Sequence, residues 1–377
     1  MAILDDGSTN CALDTNVSQD QLLNIVIVGG GIAGLASAIA LRAPGRHITV
    51  LEQSSLNREI GATISLQPNA SKILEKGFGM GEVLKNAGAL KVEGFKIYST
   101  DGQLVRKIPL TLKTEYGADR MIYYRMDLHD ALRLVSCDPD AGSVTLKDGT
   151  VLRGDVIVGA DGIKSNLRKH VLGHEVQAQP TGFSAYRLMN YKGDFDILMK
   201  EYGEFPNWAK APFKVAGDDI GLWQPRDTEP LRRWHSGRVI LIGDAAHAML
   251  PTQGQGANQA IEDAEALGAF FADADETISK EEAQKRPQEI YDARYERART
   301  VQRYSREAAR PATDKRATEI KMNPAEFMDY NCTYNSAKDW ASRQTKSAGV
   351  QVVHPTELLL ITSRLVGVWQ VSSQVRP

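Results

Sequence analysis

The residues able to do chemistry fall in three clusters. The first lies in the run from Asn24 to Gln53, NIVIVGGGIAGLASAIALRAPGRHITVLEQ. Gly29, Gly31 and Gly34 stand there in G-x-G-x-x-G spacing, and Glu52 follows 23 residues after Gly29. The first glycine permits a tight turn, the second lets the backbone approach a pyrophosphate, and the third lets helix and strand pack closely. A carboxylate at Glu52 can accept hydrogen bonds from both hydroxyls of an adenosine ribose. The second cluster is Asp155 to Arg168, DVIVGADGIKSNLR, with Asp161-Gly162, Ser165 and Arg168. The third runs from Arg238 to Leu267 and holds Gly243-Asp244, His247, Pro251, Gly254 and Gly256 ahead of a helix. A helix start offers free N–H groups and partial positive charge to an anion. His247 has the type of an acid or base, but its setting reads as loop packing, and no catalytic role is assigned to it. The first cluster predicts dinucleotide binding without separating NAD from FAD.

These clusters need strands and helices to hold them. Ile25 to Val28 and Ile48 to Leu51 read as buried strands flanking a small-residue helix, Ile32 to Leu41. Val156 to Val158 and Arg238 to Ile242 read as further buried strands, and Ala257 to Phe271 as a helix. Asn69 to Lys76 and Asp127 to Val135 are expected helices. Asp101-Gly102 and Asp148-Gly149 are expected hairpin turns, the first between Gly94–Tyr98 and Leu104–Ile108, the second between Ser143–Leu146 and Val151–Leu152. Residues 183–236 are mixed, with several prolines. Residues 280–320 are densely charged at helical spacing and read as a solvated helical surface. Leu358 to Val371 is interrupted by Thr362, Ser363 and Arg364 and reads as a packed or frayed tail helix.

The chain has 377 residues, 42% hydrophobic, with a net charge of −2. That balance gives no electrostatic reason to invoke nucleic acid or an acidic membrane surface. Cys11, Cys137 and Cys332 are scattered and make neither a disulfide framework nor a metal site. The polar first 22 residues contain Asp5, Asp6, Asp14 and Asp20 and carry no signal-peptide pattern. No run reaches the ~18 apolar residues of a membrane span. A cytoplasmic protein is expected, and the oligomeric state stays open.

With all three clusters in this order, the chain resembles the fungal FAD-dependent aromatic hydroxylases of the salicylate hydroxylase-like group, single-component flavoprotein monooxygenases. Matching stretches run from about Asn24 to Leu132, Asp138 to Arg187, and Ile220 to about Gln344. The resemblance implies an α/β fold: a Rossmann-like FAD-binding domain, a reduced α+β substrate domain and a helical C-terminal region. The expected division is a disordered tail over 1–22, FAD-binding domain over 23–175, reduced substrate domain over 176–236, returning FAD-binding part over 237–310, and C-terminal helices and tail over 311–377.

The same resemblance implies roles. Gly29, Gly31 and Gly34 would line the FAD pyrophosphate, and Glu52 the adenosine ribose. Ala62 and Thr63, in the GATI run, would lie near the ribityl chain and isoalloxazine. Most relatives have glycine where Thr63 stands, and a β-branched residue would crowd the flavin if the backbone there needs positive φ. Arg125, in YRMDLHDAL, would reach the flavin from a helix start. Asp161 and Arg168 would serve the pyrophosphate side and transient NAD(P)H, and Asp244 the ribityl hydroxyls. Gly254 and Gly256 would let the loop approach the ring, and the helix from about Ala257 would stabilise negative charge on reduced flavin. Arg187, in GFSAYR, is the catalytic candidate: it would bind the oxygen of an aromatic substrate and lower a phenol's pKa. The implied reaction uses NAD(P)H and O₂ to hydroxylate an aromatic or polyketide-derived small molecule.

The chain also departs from that family. Only Arg133 to Cys137 separates Leu132 from Asp138, where relatives carry a further strand-bearing segment. Gly243 follows only 56 positions after Arg187, where relatives carry a larger β-rich substrate domain. No catalytic tyrosine is therefore named. These departures keep two other expectations beside the monooxygenase: a flavin oxidase or reductase on the same scaffold, and a non-catalytic truncated product. A plain NAD-dependent dehydrogenase leaves the third cluster without a role.

Overall fold

The computed structural model describes residues 22–52, 62–86, 90–125, 134–138, 143–146, 151–181, 185–188, 196, 199–200, 202–216, 220–274, 278–310, 314, 316–347 and 366–371. The expected disorder of residues 1–21, the first residue of the GATI run at 61, and residues 127–133 of the expected helix lie outside these.

In chain order the elements begin with β1 (Leu23–Val28), α1 (Ile32–Ala40), β2 (Arg46–Leu51), β3 (Ala62–Leu66) and α2 (Pro68–Lys72), which runs on as a π turn over Ile73–Gly77. Next come α3 (Gly81–Asn86), β4 (Leu90–Tyr98), β5 (Leu104–Pro109), α4 (Leu112–Tyr116), β6 (Met121–Arg125), β7 (Leu134–Asp138), β8 (Ser143–Leu146), β9 (Val151–Arg153) and β10 (Val156–Gly159). They are followed by α5 (Leu167–Leu172), β11 (Gln179–Pro180), β12 (Ala185–Leu188), α6 (Asn207–Ala216), β13 (Ile220–Trp223), β14 (Arg226–Asp227), β15 (His235–Ser236) and β16 (Val239–Leu241). The chain continues with α7 (Asp244–His247), a 3₁₀ turn (Pro251–Gln253), α8 (Gly256–Phe270), α9 (Lys280–Ala283), α10 (Arg286–Glu307), α11 (Pro324–Cys332), α12 (Ala337–Ser347) and β17 (Val366–Val371).

The sheet that organises the molecule runs β15-β16-β10-β1-β2, with β1, β2, β10 and β16 mutually parallel. Ile25 faces Val156 across the ladder, and Val28 faces Gly159. Both faces of its centre are buried, which is why β1, β10 and β16 read as continuous apolar runs. On one face Ile25, Ile27, Val158 and Ile240 pack with Leu41, Leu267, Phe271 and Ile290 from α1, α8 and α10. On the other Val26, Ile157, Val239 and Leu241 pack with Leu167, Val171, Trp234 and Ala298. Side-chain alternation in a strand puts successive residues on opposite faces, and each burial of this kind stabilises by roughly 1.5–3 kcal/mol.

A second, antiparallel sheet runs β17-β4-β6-β3, with β5 also on β4. The expected hairpin at Asp101-Gly102 is its β4–β5 pair, and the expected hairpin at Asp148-Gly149 is β8–β9. Two expectations are corrected here. Residues 134–135 are not helical: Leu134–Asp138 is a strand antiparallel to β8. Of the expected tail helix from Leu358 to Val371, residues 358–365 lie outside those described, and Val366–Val371 is not helical: it is β17, antiparallel to β4 with Val366 opposite Tyr98. The β-branched Val366, Val368 and Val371 and aromatic Trp369 favour a strand over a helix once a partner edge is present.

Within 176–236 the described residues form the short pair β11–β14, the two-stranded β12–β13 sheet with α6 between β12 and β13, and β15, which joins the main sheet. Among the described residues β2 is the last strand on its side of the parallel sheet, and five of its six residues are partly exposed.

Candidate active site

The three parallel strands β1, β10 and β16 end side by side, and each passes straight into one sequence cluster. Ala160 N donates to Val28 O (2.8 Å) and Ile242 N to Gly159 O (2.9 Å), so the three turns are held next to one another. A methyl group on Gly29, whose φ is +109°, would meet Ala160 O at 2.3 Å. One on Gly34 would meet Gly29 O at 1.8 Å. Only glycine therefore fits where the first turn crosses the second and where α1 presses onto its own entry loop.

Helices α1 and α8 lie together and run parallel. A Cβ on Gly243 would touch Ala33 at 3.0 Å and Ala260 at 3.5 Å, near both helix starts. One on Gly268 would meet Ala40 at 3.0 Å, near both helix ends. Their N-termini thus open at the same end of the sheet. Neither has a side-chain cap or an acid in its first turn; Gly31 and Gln255 are the N-cap residues. Each leaves first-turn amides and a positive dipole end for a ligand. Helix α11 shows the contrast, since Asn323 and Glu326 close it with a full capping box.

Glu52 follows β2, and its Oε2 accepts from Gly30 N at 2.5 Å, which seats the carboxylate over the glycine turn. Ala62 and Thr63 open β3 and face Arg125 and Tyr124 of β6. Thr63 stands in an extended ladder, where a β-branched residue is at home. The positive φ that would have made it crowd the site is not required. Arg125 ends β6, and its backbone pairs with Ala62; the expected helix start after it lies outside the described residues. Asn258 joins this sheet to the loop ahead of α8: its Oδ1 accepts from Gln67 N (2.7 Å), and its Nδ2 donates to Ser65 O (3.0 Å) and Gly254 O (2.7 Å).

Asp161 caps the turn before α5, where Oδ2 accepts from Asn166 N (2.8 Å) and Leu167 N (3.1 Å). Its other oxygen is buried with no partner in the structure. Burial raises this carboxyl above the usual range, against the lowering effect of Ser165 and the amides. Arg168 is buried and spends its donors on backbone carbonyls: Nε on Ala245 O (2.9 Å), Nη2 on Asp244 O (2.9 Å), Nη1 on Ile163 O (3.2 Å) and Val176 O (3.1 Å). It braces the Asp244 turn. Asp244 opens α7 after Gly243, which has φ +56°. Gly256 and Ala257 form the first turn of α8. Arg187 stands apart from these turns in sequence, on β12 opposite Gly221 in a separate two-stranded sheet.

His247 is buried, and its Nε2 lies 2.7 Å from Asp263 Oδ2, in keeping with packing. Four further residues escaped the sequence reading. Glu262, Asp263, Arg294 and Arg297 are all fully buried and paired. The expected solvated surface over 280–320 is corrected at Arg294 and Arg297, which point into the molecule. The signal was present as i, i+3 spacing of two arginines opposite the Glu262-Asp263 pair, but charge alone does not say which helical face is inward.

These residues fit a bound dinucleotide: two uncapped helix starts, glycines that hold backbone against backbone, and a buried carboxylate oxygen left open. A family profile described as FAD binding domain matches residues 208–308, and one described as NAD(P)-binding Rossmann-like domain matches residues 27–65. The chain is 30% identical over 355 residues to a 3-amino-4-hydroxybenzoate 2-monooxygenase of Streptomyces platensis, covering 75% of this chain and 87% of that one. It is 28% identical over 346 residues to hispidin-3-hydroxylase of Neonothopanus nambi, covering 67% and 81%. In fold it is similar to a salicylate hydroxylase substrate complex, with TM-score 0.68, 23% identity, and 86% and 98% of the two chains covered. It is also similar to Klebsiella pneumoniae HpxO complexed with FAD and uric acid, with TM-score 0.66, 22% identity, and 86% and 96% covered. Converging glycine turns, two open helix starts and these relatives together place the chain in the family of FAD-dependent aromatic monooxygenases.

Proposed function

We propose that this chain hydroxylates a small aromatic substrate, using FAD, NAD(P)H and O₂. The observation that carries the reading is the pair of uncapped helix starts, α1 and α8, opening side by side at the strand ends where all three sequence clusters meet. The substrate class is supported by relatives named for hydroxybenzoates, an aminohydroxybenzoate and hispidin.

Bound FAD supplies hydride acceptance from NAD(P)H and activation of O₂, so that one oxygen atom reaches an electron-rich ring and the other leaves as water. The residues of this chain hold that chemistry in place. Gly29, Gly31, Gly34 and the α1 amides take the pyrophosphate, and Glu52 the adenosine ribose. Asp244 takes the ribityl hydroxyls, its turn held by Arg168, and Ala62, Thr63 and Arg125 lie at the β3–β6 edge of the same cofactor. Asp161 offers its open oxygen on the pyrophosphate side. Gly256 and Ala257 present the α8 start to the electron-rich end of the ring system, where a fixed dipole needs no reorganisation. Arg187 binds the substrate oxygen and favours a phenolate.

A second reading rests on a specific observation. The alignment to the Streptomyces platensis relative is 355 positions long yet takes up 75% of this 377-residue chain. That supports the view that relatives carry internal residues this chain lacks, as do the partly exposed β2 and the small β12–β13 sheet. An open site would release peroxide instead of transferring oxygen. Isotope-labelled O₂ with FAD-loaded protein, NAD(P)H and a panel of phenols decides between them. Label in a hydroxylated product is the expected result; stoichiometric hydrogen peroxide with unlabelled substrate returned would overturn the monooxygenase in favour of an oxidase.

A further inference from the structure

Helix α8 carries two adjacent buried carboxylates, Glu262 and Asp263, and Arg294 of α10 bridges them. Its Nε donates to Asp263 Oδ1 (2.9 Å), Nη1 to Glu262 Oε2 (2.6 Å) and Nη2 to Gln259 Oε1 (2.8 Å). From each carboxylate an arm reaches one of the turns assigned above to the flavin. Asp263 Oδ2 accepts from the Gly243 amide (2.9 Å), directly before Asp244. Glu262 Oε1 accepts from Asn69 Nδ2 (2.7 Å), and the same Nδ2 donates to Gln255 Oε1 (3.2 Å), directly before Gly256. One guanidinium thus stands behind both turns.

Arg297, one turn along, is the natural contrast. It also pairs with Glu262, through Nε (2.6 Å) and Nη2 (2.7 Å), but its remaining donors serve Tyr330 O (3.0 Å) and Asn331 O (3.1 Å). It lies 4.5 Å from the ring centres of Tyr334 and Trp340. Through Glu262 Oε1, which also accepts from Asn69, it shares the arm to the Gln255 turn; its other arms run to the C-terminal helices, and none reaches the Gly243 turn.

Apolar residues of equal volume would join α8 to α10 without the cost of desolvating charge. They could not accept the Gly243 amide or fix Gln255. We propose that Arg294 is a positioning residue that preorganises the Gly243–Asp244 and Gln255–Gly256 turns for FAD before the cofactor arrives, acting through Asp263 and Glu262. This rests on the FAD reading, so FAD binding by the wild-type chain is measured first. A wild-type chain without FAD affinity overturns that reading and this inference together.

The test compares Arg294→Lys with Arg297→Lys by FAD titration of the apo-proteins, by apo-protein melting, and by the flavin's reduction potential. Arg294→Lys is expected to weaken FAD about tenfold or more, the scale seen when a ligand loses its supporting partner, and to shift the potential. Arg297→Lys, which leaves the Asp263 arm to Gly243 intact, is expected to lower the melting temperature with a smaller loss of FAD affinity and a smaller shift of the potential. Equal loss of FAD affinity in both variants, in proportion to melting, would show a merely structural role and overturn the proposal. Amide hydrogen exchange on the wild-type apo-protein covers the case in which Arg294→Lys does not fold. Protection across residues 243–248 without FAD supports preorganisation, and free exchange there that is quenched only by FAD overturns it.

Discussion

At the scale of single residues, the site is built by what cannot be added as much as by what is present. Gly34 illustrates this, with Gly29 O only 1.8 Å from where a Cβ would sit. Because the obstructing atom is backbone, α1 must move off its entry turn. Gly34→Ala is expected to cost about 1–3 kcal/mol of stability, the usual scale of overpacking, and to abolish FAD retention, as read by melting and by flavin absorbance after gel filtration. Gly173→Ala is the control. Gly173 has φ +77° but nothing within 4 Å of the added methyl, so it should cost about 1–2 kcal/mol of backbone strain and leave FAD retention unchanged. Equal FAD loss in the two would mean that close approach at Gly34 is not what the cofactor needs. Arg168 teaches a related point. Its type invites a role on a phosphate, but its donors already hold the carbonyls of Asp244 and Ala245.

At the scale of elements, the bare starts of α1 and α8 contrast with that of α11, which is closed by Asn323: its side chain accepts from Ala325 N (2.9 Å) and Glu326 N (3.0 Å) while Glu326 Oε2 accepts from Asn323 N (2.8 Å). A cap that only stabilises should be removable without touching the site. Asn323→Ala is expected to cost about 0.5–2 kcal/mol by denaturant unfolding and to leave FAD affinity unchanged; weakened FAD binding would show that α11 is coupled to the cofactor site. The charged pair at the centre of α8 is coupled in another way. Burial opposes ionisation of Glu262, but Arg297 and Arg294 more than offset it and hold the carboxyl below its usual range.

At the scale of the whole molecule, β2 is partly exposed and, among the described residues, ends one side of the parallel sheet. An uncovered edge leaves backbone groups to water or to another chain. Cofactor binding stabilises the fold by mass action, about 2.7 kcal/mol when free FAD is a hundred times its dissociation constant. The full chain is therefore expected to melt at a higher temperature with each increment of FAD and to be monodisperse when loaded. Aggregated protein whose melting ignores FAD would support the non-catalytic reading. No helix among the described residues is long and apolar enough to cross a membrane.

The sequence by itself determined the parallel core and the cofactor turns. Buried runs such as Ile25 to Val28 have one stable use between helices, and glycine spacing is a local demand that needs no distant partner to be read. It located the hairpins at Asp101-Gly102 and Asp148-Gly149 for the same reason. Tertiary structure decided the rest. Val366 to Val371 became a strand because β4 offered an edge, which no local pattern records. Arg294 and Arg297 turned inward because Glu262 and Asp263 lay opposite them, 35 to 31 residues away in sequence. Arg168 took the carbonyls of Asp244 and Ala245, partners that only the meeting of strand ends could supply. Short-range geometry is written in the chain, whereas the inward face of a charged helix is chosen by what it meets.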